Sequence, residues 1–327
     1  MRLQIFLLFV FANISAVQAA VPAGIDRQEE TISFQYTTEI PAVSHGEGPV
    51  HFFVPIAVND EHQEILERKI ESSVKGEIRT EPKYGNTFWS VSLPDTHGKP
   101  IPVTVSYLVK RKRFAGLEQT RLPATAPEKE LAQYLQPNRL VPTSGSLIDQ
   151  IRKDLPESGQ TAEERARAIF DYVVDNMEYK KVGRGWGNGD THWACTKKFG
   201  NCTDFHALFI SLARAENIPA RFEIGFPIPE DANEGIVGGY HCWVTFYLEG
   251  KGWVPIDASE AKKHPEKRAL LFGTQPPDRI FFSRGRDIEL GEGHETRPLN
   301  YFIYPHVEVA GKVRSEIPTQ FTYRVLS

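Results

Sequence analysis

Gly200-Asn201-Cys202-Thr203-Asp204-Phe205-His206-Ala207-Leu208-Phe209 carries the densest structural signal in the chain. Phe205, Leu208, Phe209 and Leu212 recur at helical spacing, which predicts a helix with one apolar face. Gly200 supplies a turn ahead of it and Asn201 an N-cap. Asn217 fits the C-terminal stop, and Pro219 forbids continuation. Cys202 therefore falls in the first turn, among unpaired backbone N–H groups at the positive end of the helix dipole. Both favour thiolate over thiol. A buried structural cysteine fits among those phenylalanines equally well, so this stretch alone leaves both roles open.

Two later stretches bear on the choice. Tyr240-His241-Cys242-Trp243-Val244-Thr245-Phe246 reads as a strand that opens with a histidine, and Gly252-Trp253-Val254-Pro255-Ile256-Asp257-Ala258 as a strand ending in an aspartate. A thiol, an imidazole to hold its proton and a carboxylate to orient that imidazole make an activated nucleophile. The order Cys, His, Asp on helix, strand, strand resembles the transglutaminase-like superfamily, a branch of the papain-like cysteine enzymes. The matching blocks are G-N-C-T-D-F (200–205), Y-H-C-W (240–243) and G-W-V-P-I-D (252–257), and the resemblance covers roughly Arg139 to Leu290.

The resemblance implies an α+β fold: a nucleophile helix on an antiparallel sheet. It implies acyl transfer through a Cys202 thioester on a peptide or amide, with His241 as base and Asp257 as its orienting partner. The Cys202 N–H would be one oxyanion donor, and Asn201, Trp186 or Trp193 the second. No cofactor and no metal are required. Peptidase-type hydrolysis is expected ahead of amine transfer. The alternative from another class is a non-catalytic transglutaminase-like binding scaffold in the cell envelope.

Composition sets the frame. The chain has 327 residues, 40% of them hydrophobic, and a net charge of −4, which gives no reason to expect nucleic acid as a partner. Arg2, the apolar run Leu3 to Phe11 and the small-residue site Val17-Gln18-Ala19 read as a signal peptide, so the mature protein is expected to be exported, periplasmic or secreted. No other stretch is apolar enough to cross a membrane. The three cysteines are Cys195, Cys202 and Cys242. With Cys202 as nucleophile the other two are free to pair, and a Cys195–Cys242 disulfide is the expectation, a Cys195–Cys202 redox lock the rival. By strand alternation Cys242 points away from the face bearing His241 and is expected to stay out of the catalytic line.

Ahead of the core, alternation at Ile32, Phe34, Tyr36 and at Val103, Val105, Tyr107, with runs at Val50 to Val58 and Phe88 to Leu93, predicts a β-sandwich-like domain. Glu61 to Glu71 reads as a helical insertion, and Lys110 to Arg113 as a solvated strand end. Thr161 and Glu164 form a capping box before a helix packed through Ala166, Ile169, Phe170, Val173 and Met177. Lys181 to Cys195 reads as a glycine- and tryptophan-rich loop walling a substrate groove, and Pro227 to Gly239 as a flexible loop on the opposite rim. Arg284, Arg286 and Asp287 read as an ion network. The expected layout is a signal peptide at 1–19, a β-rich domain at 20–125, a linker and lead-in at 126–160, the catalytic domain at 161–290 and C-terminal strands at 291–327.

Three nearby residues compete for roles. His206, four residues past Cys202, shares its helix face but would approach as a base poorly. Asp204 is expected to cap the helix or satisfy a neighbouring loop, and His192 is a rival base in the tryptophan loop. The hairpin poses a geometric test. A two-residue turn at Gly250-Lys251 puts Asp257 on the face opposite His241. A three-residue loop Gly250 to Gly252 restores the face but pairs Asp257 with Thr245, roughly 13 Å along the strand from His241. A bulge between Tyr247 and Pro255 is therefore predicted.

Overall fold

The computed structural model describes residues 27–118, 126–155 and 161–327. The signal-peptide stretch lies outside them. Two five-stranded antiparallel sheets and one four-stranded sheet carry the molecule. In the first five-stranded sheet, Glu29–Ile40 and Ile101–Lys112 pair over twelve residues, so their alternating apolar residues all face one side. The second is built on Val50–Pro55 and Thr87–Leu93. The chain's last strands complete both: Thr319–Val325 pairs with Glu29–Ile40, and His306–Val309 with Val50–Pro55.

Gln63–Ser72 is a strand, not the helical insertion its Glu, Leu, Arg and Lys suggest. It pairs along Ile101–Lys112 at the sheet edge, with a register shift between Ile65 and Glu67. Backbone pairing with that long neighbour overrides weak helix propensity, and charged side chains suit an exposed edge. The segment after residue 126 is also more structured than a linker. It holds the helices Glu128–Gln133 and Ser146–Asp154 and a turn closed by the Asn138–Val141 bridge.

The four-stranded sheet runs Gly252–Ile256, His241–Leu248, Ala220–Pro227, Arg279–Arg284. The helix Cys202–Ala215 packs on one face, with Phe209 against Phe246. Phe226 and Phe282 of the sheet meet Phe34 of the first sheet, which joins the layers in one core. The helix Ala162–Asn176 starts with the Thr161–Glu164 capping box and buries Ala166, Ile169, Phe170 and Val173. The loop 227–240 is pinned, not free. Glu234–Ile236 adds an edge strand to Thr319–Val325, because the unpaired edge of that strand accepts it.

Candidate active site

Asn201 begins the site. Its Oδ1 accepts the Thr203 N–H at 2.9 Å, and Asp204 Oδ2 accepts the Asn201 N–H at 3.0 Å, so cap and third helical residue close on each other. The same Asp204 carboxylate accepts the N–H groups of Gly187 (2.7 Å) and Gly189 (3.0 Å), and thus ties the glycine-rich loop to the helix start. Gly200 is required here, since a Cβ would stand 2.2 Å from Asp204 Oδ2. Arg286, fully buried, donates from Nη2 to the Asn188 carbonyl at 2.8 Å and clamps that loop from the other side. It is a loop anchor and not part of the expected ion network; Asp287 pairs instead with Arg139 at 3.9 Å.

Cys202 is the first residue of the helix and is 2% exposed. His241 opens the adjacent strand, and its Nε2 lies 2.5 Å from Asp257 Oδ2. Asp257 N-caps the short helix Ala258–Lys263, its Oδ1 accepting the Glu260 N–H and the Ser259 hydroxyl, both at 2.9 Å. The carboxylate is thereby fixed before it meets the imidazole.

The predicted bulge is absent. Strands 241–248 and 252–256 pair regularly, Leu248 with Gly252 through Val244 with Ile256, around a three-residue loop 249–251. This register carries Asp257 to the position across from Trp243, two residues from His241 and on its face. Such diagonal neighbours lie within reach of long side chains, so no extra residue is needed. The expected loop, 250–252, began one residue late and put Asp257 one pleat too far. Pro255 is tolerated because its strand is an edge of the sheet.

Cys242 does not stand apart. The face opposite His241 is the face that meets the helix, so the Cys242 thiol reaches the helix start, where its S–H donates to Thr203 Oγ1 at 3.8 Å. Its Sγ also lies 3.5 Å from His206 Nδ1. All three cysteines are free, so neither expected disulfide forms. Cys195 sits on the helix Thr191–Lys197, where burial pushes its thiol up to about 12. That helix, capped by Asp190, occupies the end of the segment expected to be loop. His192 is exposed on it. Trp193 is not poised as an oxyanion donor, because its indole N–H is committed to the Phe199 carbonyl at 3.1 Å. Trp186 is half-buried in the loop, with the Lys181 ammonium 6.0 Å from its ring. Asn201 Nδ2 donates to the Tyr240 hydroxyl at 3.1 Å.

The electrostatics are those of an ion pair. The neighbouring Cys242 thiol, helped by His241, holds Cys202 well below the usual thiol range against the opposing effect of burial. Burial disfavours the His241 charge, but Asp257 and the Cys202 contact outweigh it and raise His241 to about 10. Asp257, though desolvated, is held well below the carboxylate range by His241 and His206. Thiolate, imidazolium and carboxylate are thus the favoured states.

Sequence reasoning placed Cys242 outside the catalytic line and gave Tyr240 and Glu260 no role. The Tyr240 hydroxyl meets Thr203 Oγ1 at 2.9 Å and Tyr301 at 3.5 Å; Glu260 Oε1 lies 3.9 Å from His241 Nε2. Nothing in their spacing singled them out. Two clusters have ligand atoms within 4.8 Å of one another, His241-Asp257-Glu260 and His294-His306-Glu308. In the first, His241 Nε2 is taken by Asp257; in the second, His306 Nε2 lies 2.8 Å from Glu308 Oε1 and the Leu290 N–H donates to His294 Nδ1 at 3.1 Å, while His294 Nε2 has no hydrogen-bond partner.

Residues 149–258 match the family model of the transglutaminase-like superfamily. An uncharacterized protein of Haemophilus influenzae is 28% identical, over 90% of this chain and 90% of its own. A solved Cytophaga hutchinsonii structure, provisionally named a cysteine protease, superposes with a TM-score of 0.62 at 18% identity, over 92% of each chain. That likeness extends the shared fold to nearly the whole molecule.

Proposed function

We propose that this chain, a member of the transglutaminase-like superfamily through residues 149–258, is an exported cysteine enzyme that transfers acyl groups from peptides or amides. The carrying observation is that His241, its Nε2 2.5 Å from Asp257 Oδ2, opens the strand packed against the helix whose first residue is Cys202. Nδ1 is then the nitrogen that faces the thiol. Cys202 attacks the carbonyl carbon as thiolate, and the C–S bond forms as the carbonyl electrons move to oxygen. Collapse of that intermediate breaks the C–N bond while His241 Nδ1–H protonates the departing amine, leaving the thioester. A second nucleophile, deprotonated by His241, attacks the thioester and releases Cys202. Asp257 keeps the proton-bearing edge of the imidazole aimed correctly.

The Cys202 N–H, at the helix start, is suited to hold the developing oxyanion. Asn201 Nδ2, now on Tyr240, is the side-chain candidate for the second donor. Water as second nucleophile gives hydrolysis, which we favour over a lysine amine. Export rests on the signal-like residues 1–19.

The test is a peptide library incubated with mature protein, with and without a labelled primary amine. Release of new peptide termini that is lost in Cys202→Ala supports hydrolysis; label incorporation supports amine transfer. Neither product, with Cys202→Ala retaining every phenotype of the wild type, would favour the non-catalytic scaffold. N-terminal sequencing of the exported protein checks the leader: a mature start near residue 20 is expected, and an intact Met1 contradicts it.

A further inference from the structure

The basic run Lys110 to Arg113 is not wholly the solvated strand end it reads as. Arg111 continues the inward alternation of Val105, Tyr107 and Val109 and is 1% exposed. A guanidinium carries five N–H donors, and burial leaves them in need of protein acceptors or a ligand. Arg111 Nη2 donates to Gln275 Oε1 at 3.2 Å, and Asp60 Oδ1 lies 3.5 Å from Nη1. Among the described residues, Arg111 Nε and Nη1 find no hydrogen-bond acceptor. Gln275 Nε2 and Arg284 Nε are buried without one as well. All three side chains line one cavity of about 390 Å³, where the first five-stranded sheet faces the four-stranded sheet. Cys202, His241 and Asp257 are not in its wall, so it is separate from the site described above.

The charges of the wall have a sign. Arg111, Arg221 and Arg284 all face the cavity, and the most open of them, Arg284, has a side chain 22% exposed. Two carboxylates oppose them. One is Asp60. The other is Glu223, whose Oε1 lies 2.9 Å from Arg221 Nε and 3.7 Å from Arg284 Nη2, while its Oε2 accepts the Trp243 indole N–H at 2.8 Å. Burial pushes His62, also in the wall, down to about 4, so it adds no charge at neutral pH. Glu61, Glu130 and Lys251 complete the ionised lining. The two acids are open to solvent, which screens them, and the ammonium offsets one of them. One buried guanidinium is left over, and an unpaired buried charge is costly.

We infer that this cavity binds a small organic monocarboxylate, held by Arg111, Arg284 and Gln275. A carboxylate is an acceptor only, and its two oxygens can take several N–H groups at once. A surplus of one charge suits a monoanion rather than a phosphate dianion. Phe114, Tyr247 and Trp253 give the same wall apolar surface for the rest of the molecule.

The experiment is isothermal titration calorimetry of the mature protein with benzoate, and with benzamide and inorganic phosphate as companions. Benzoate is expected to bind once per chain. Benzamide, of the same shape but uncharged, is expected to bind about tenfold more weakly or worse, the size of one lost charge-assisted hydrogen bond. Arg284→Gln is expected to weaken benzoate by a similar factor. Gln275→Glu is nearly isosteric and sets a competing carboxylate beside Arg111, so it is expected to abolish binding; it also keeps the test alive if Arg284→Gln fails to fold. Circular dichroism verifies folding, and Cys202→Ala is expected to bind benzoate as the wild type does. Equal affinity for benzoate and benzamide, no saturable benzoate binding up to about 10 mM, or affinity that survives both substitutions would overturn the site. Loss of binding in Cys202→Ala would place the ligand at the nucleophile instead. Phosphate displacing benzoate at a lower concentration would overturn the monocarboxylate.

Discussion

His241 Nε2 lies 2.5 Å from Asp257 Oδ2, so the ring nitrogen left to serve Cys202 is Nδ1. The pairing also fixes the tautomer in the neutral state, because a carboxylate at Nε2 demands the proton there.

Asp257→Asn tests this relation cleanly. Asn keeps the cap on the helix Ala258–Lys263, so folding is expected to survive. Its amide can present an N–H to Nε2 and stabilise the wrong tautomer. The expected loss is on the order of 10³–10⁴ in kcat, with KM little changed. Steady-state kinetics on the best peptide substrate decides it. A loss below tenfold means that the carboxylate does not orient the base.

The pH profile follows from the signs of the shifts. Cys202 is held below its ordinary range, so the acidic limb lies well under the usual thiol value of about 8.5. His241 is raised to about 10, so the imidazolium needed to protonate the leaving amine persists until pH passes that value. The rate is expected to be flat through neutrality and to fall near pH 10. The corresponding contribution to stability is complete below about 6.5, the unfolded value, and disappears as pH rises through 10. A kcat/KM profile whose basic limb falls near 6.5 contradicts the ion pair.

Asp204 holds three backbone N–H groups, those of Gly187, Gly189 and Asn201. Asp204→Ala leaves all three without that acceptor and removes half of the capping box. The expected destabilisation is about 2–4 kcal/mol, from a lost cap of about 1 and unsatisfied buried donors of about 1–3. Urea unfolding measures it. Asp204→Asn retains an acceptor and is expected to lose less. Equal losses in the two variants would mean that the charge, not the hydrogen bonding, carries the effect.

Much of this was legible in local pattern. Asn201 and Gly200 ahead of an apolar 3.6-residue repeat specified the helix and placed Cys202 in its first turn. The alternation at Ile32, Phe34 and Tyr36 specified a strand buried on one face. What failed depended on contacts between distant segments. Gln63–Ser72 has helix-forming side chains, and only its long neighbour makes it a strand. The bulge was deduced from an assumed turn, and shifting the loop by one residue removed the need for it. Cys242 was assigned to the far face correctly. What alternation cannot supply is the identity of the element packed there, which is the nucleophile helix itself.

The most direct measurement is the pH dependence of alkylation at each cysteine under limiting iodoacetamide, in wild type and His241→Ala. Cys195 and Cys242, both raised, serve as internal references. Fast reaction at Cys202 alone, well below pH 8.5, that slows in His241→Ala is the predicted result. Cys202 reacting no faster than Cys195 and Cys242 would contradict an activated nucleophile, and capture of a binding partner would then be the next experiment.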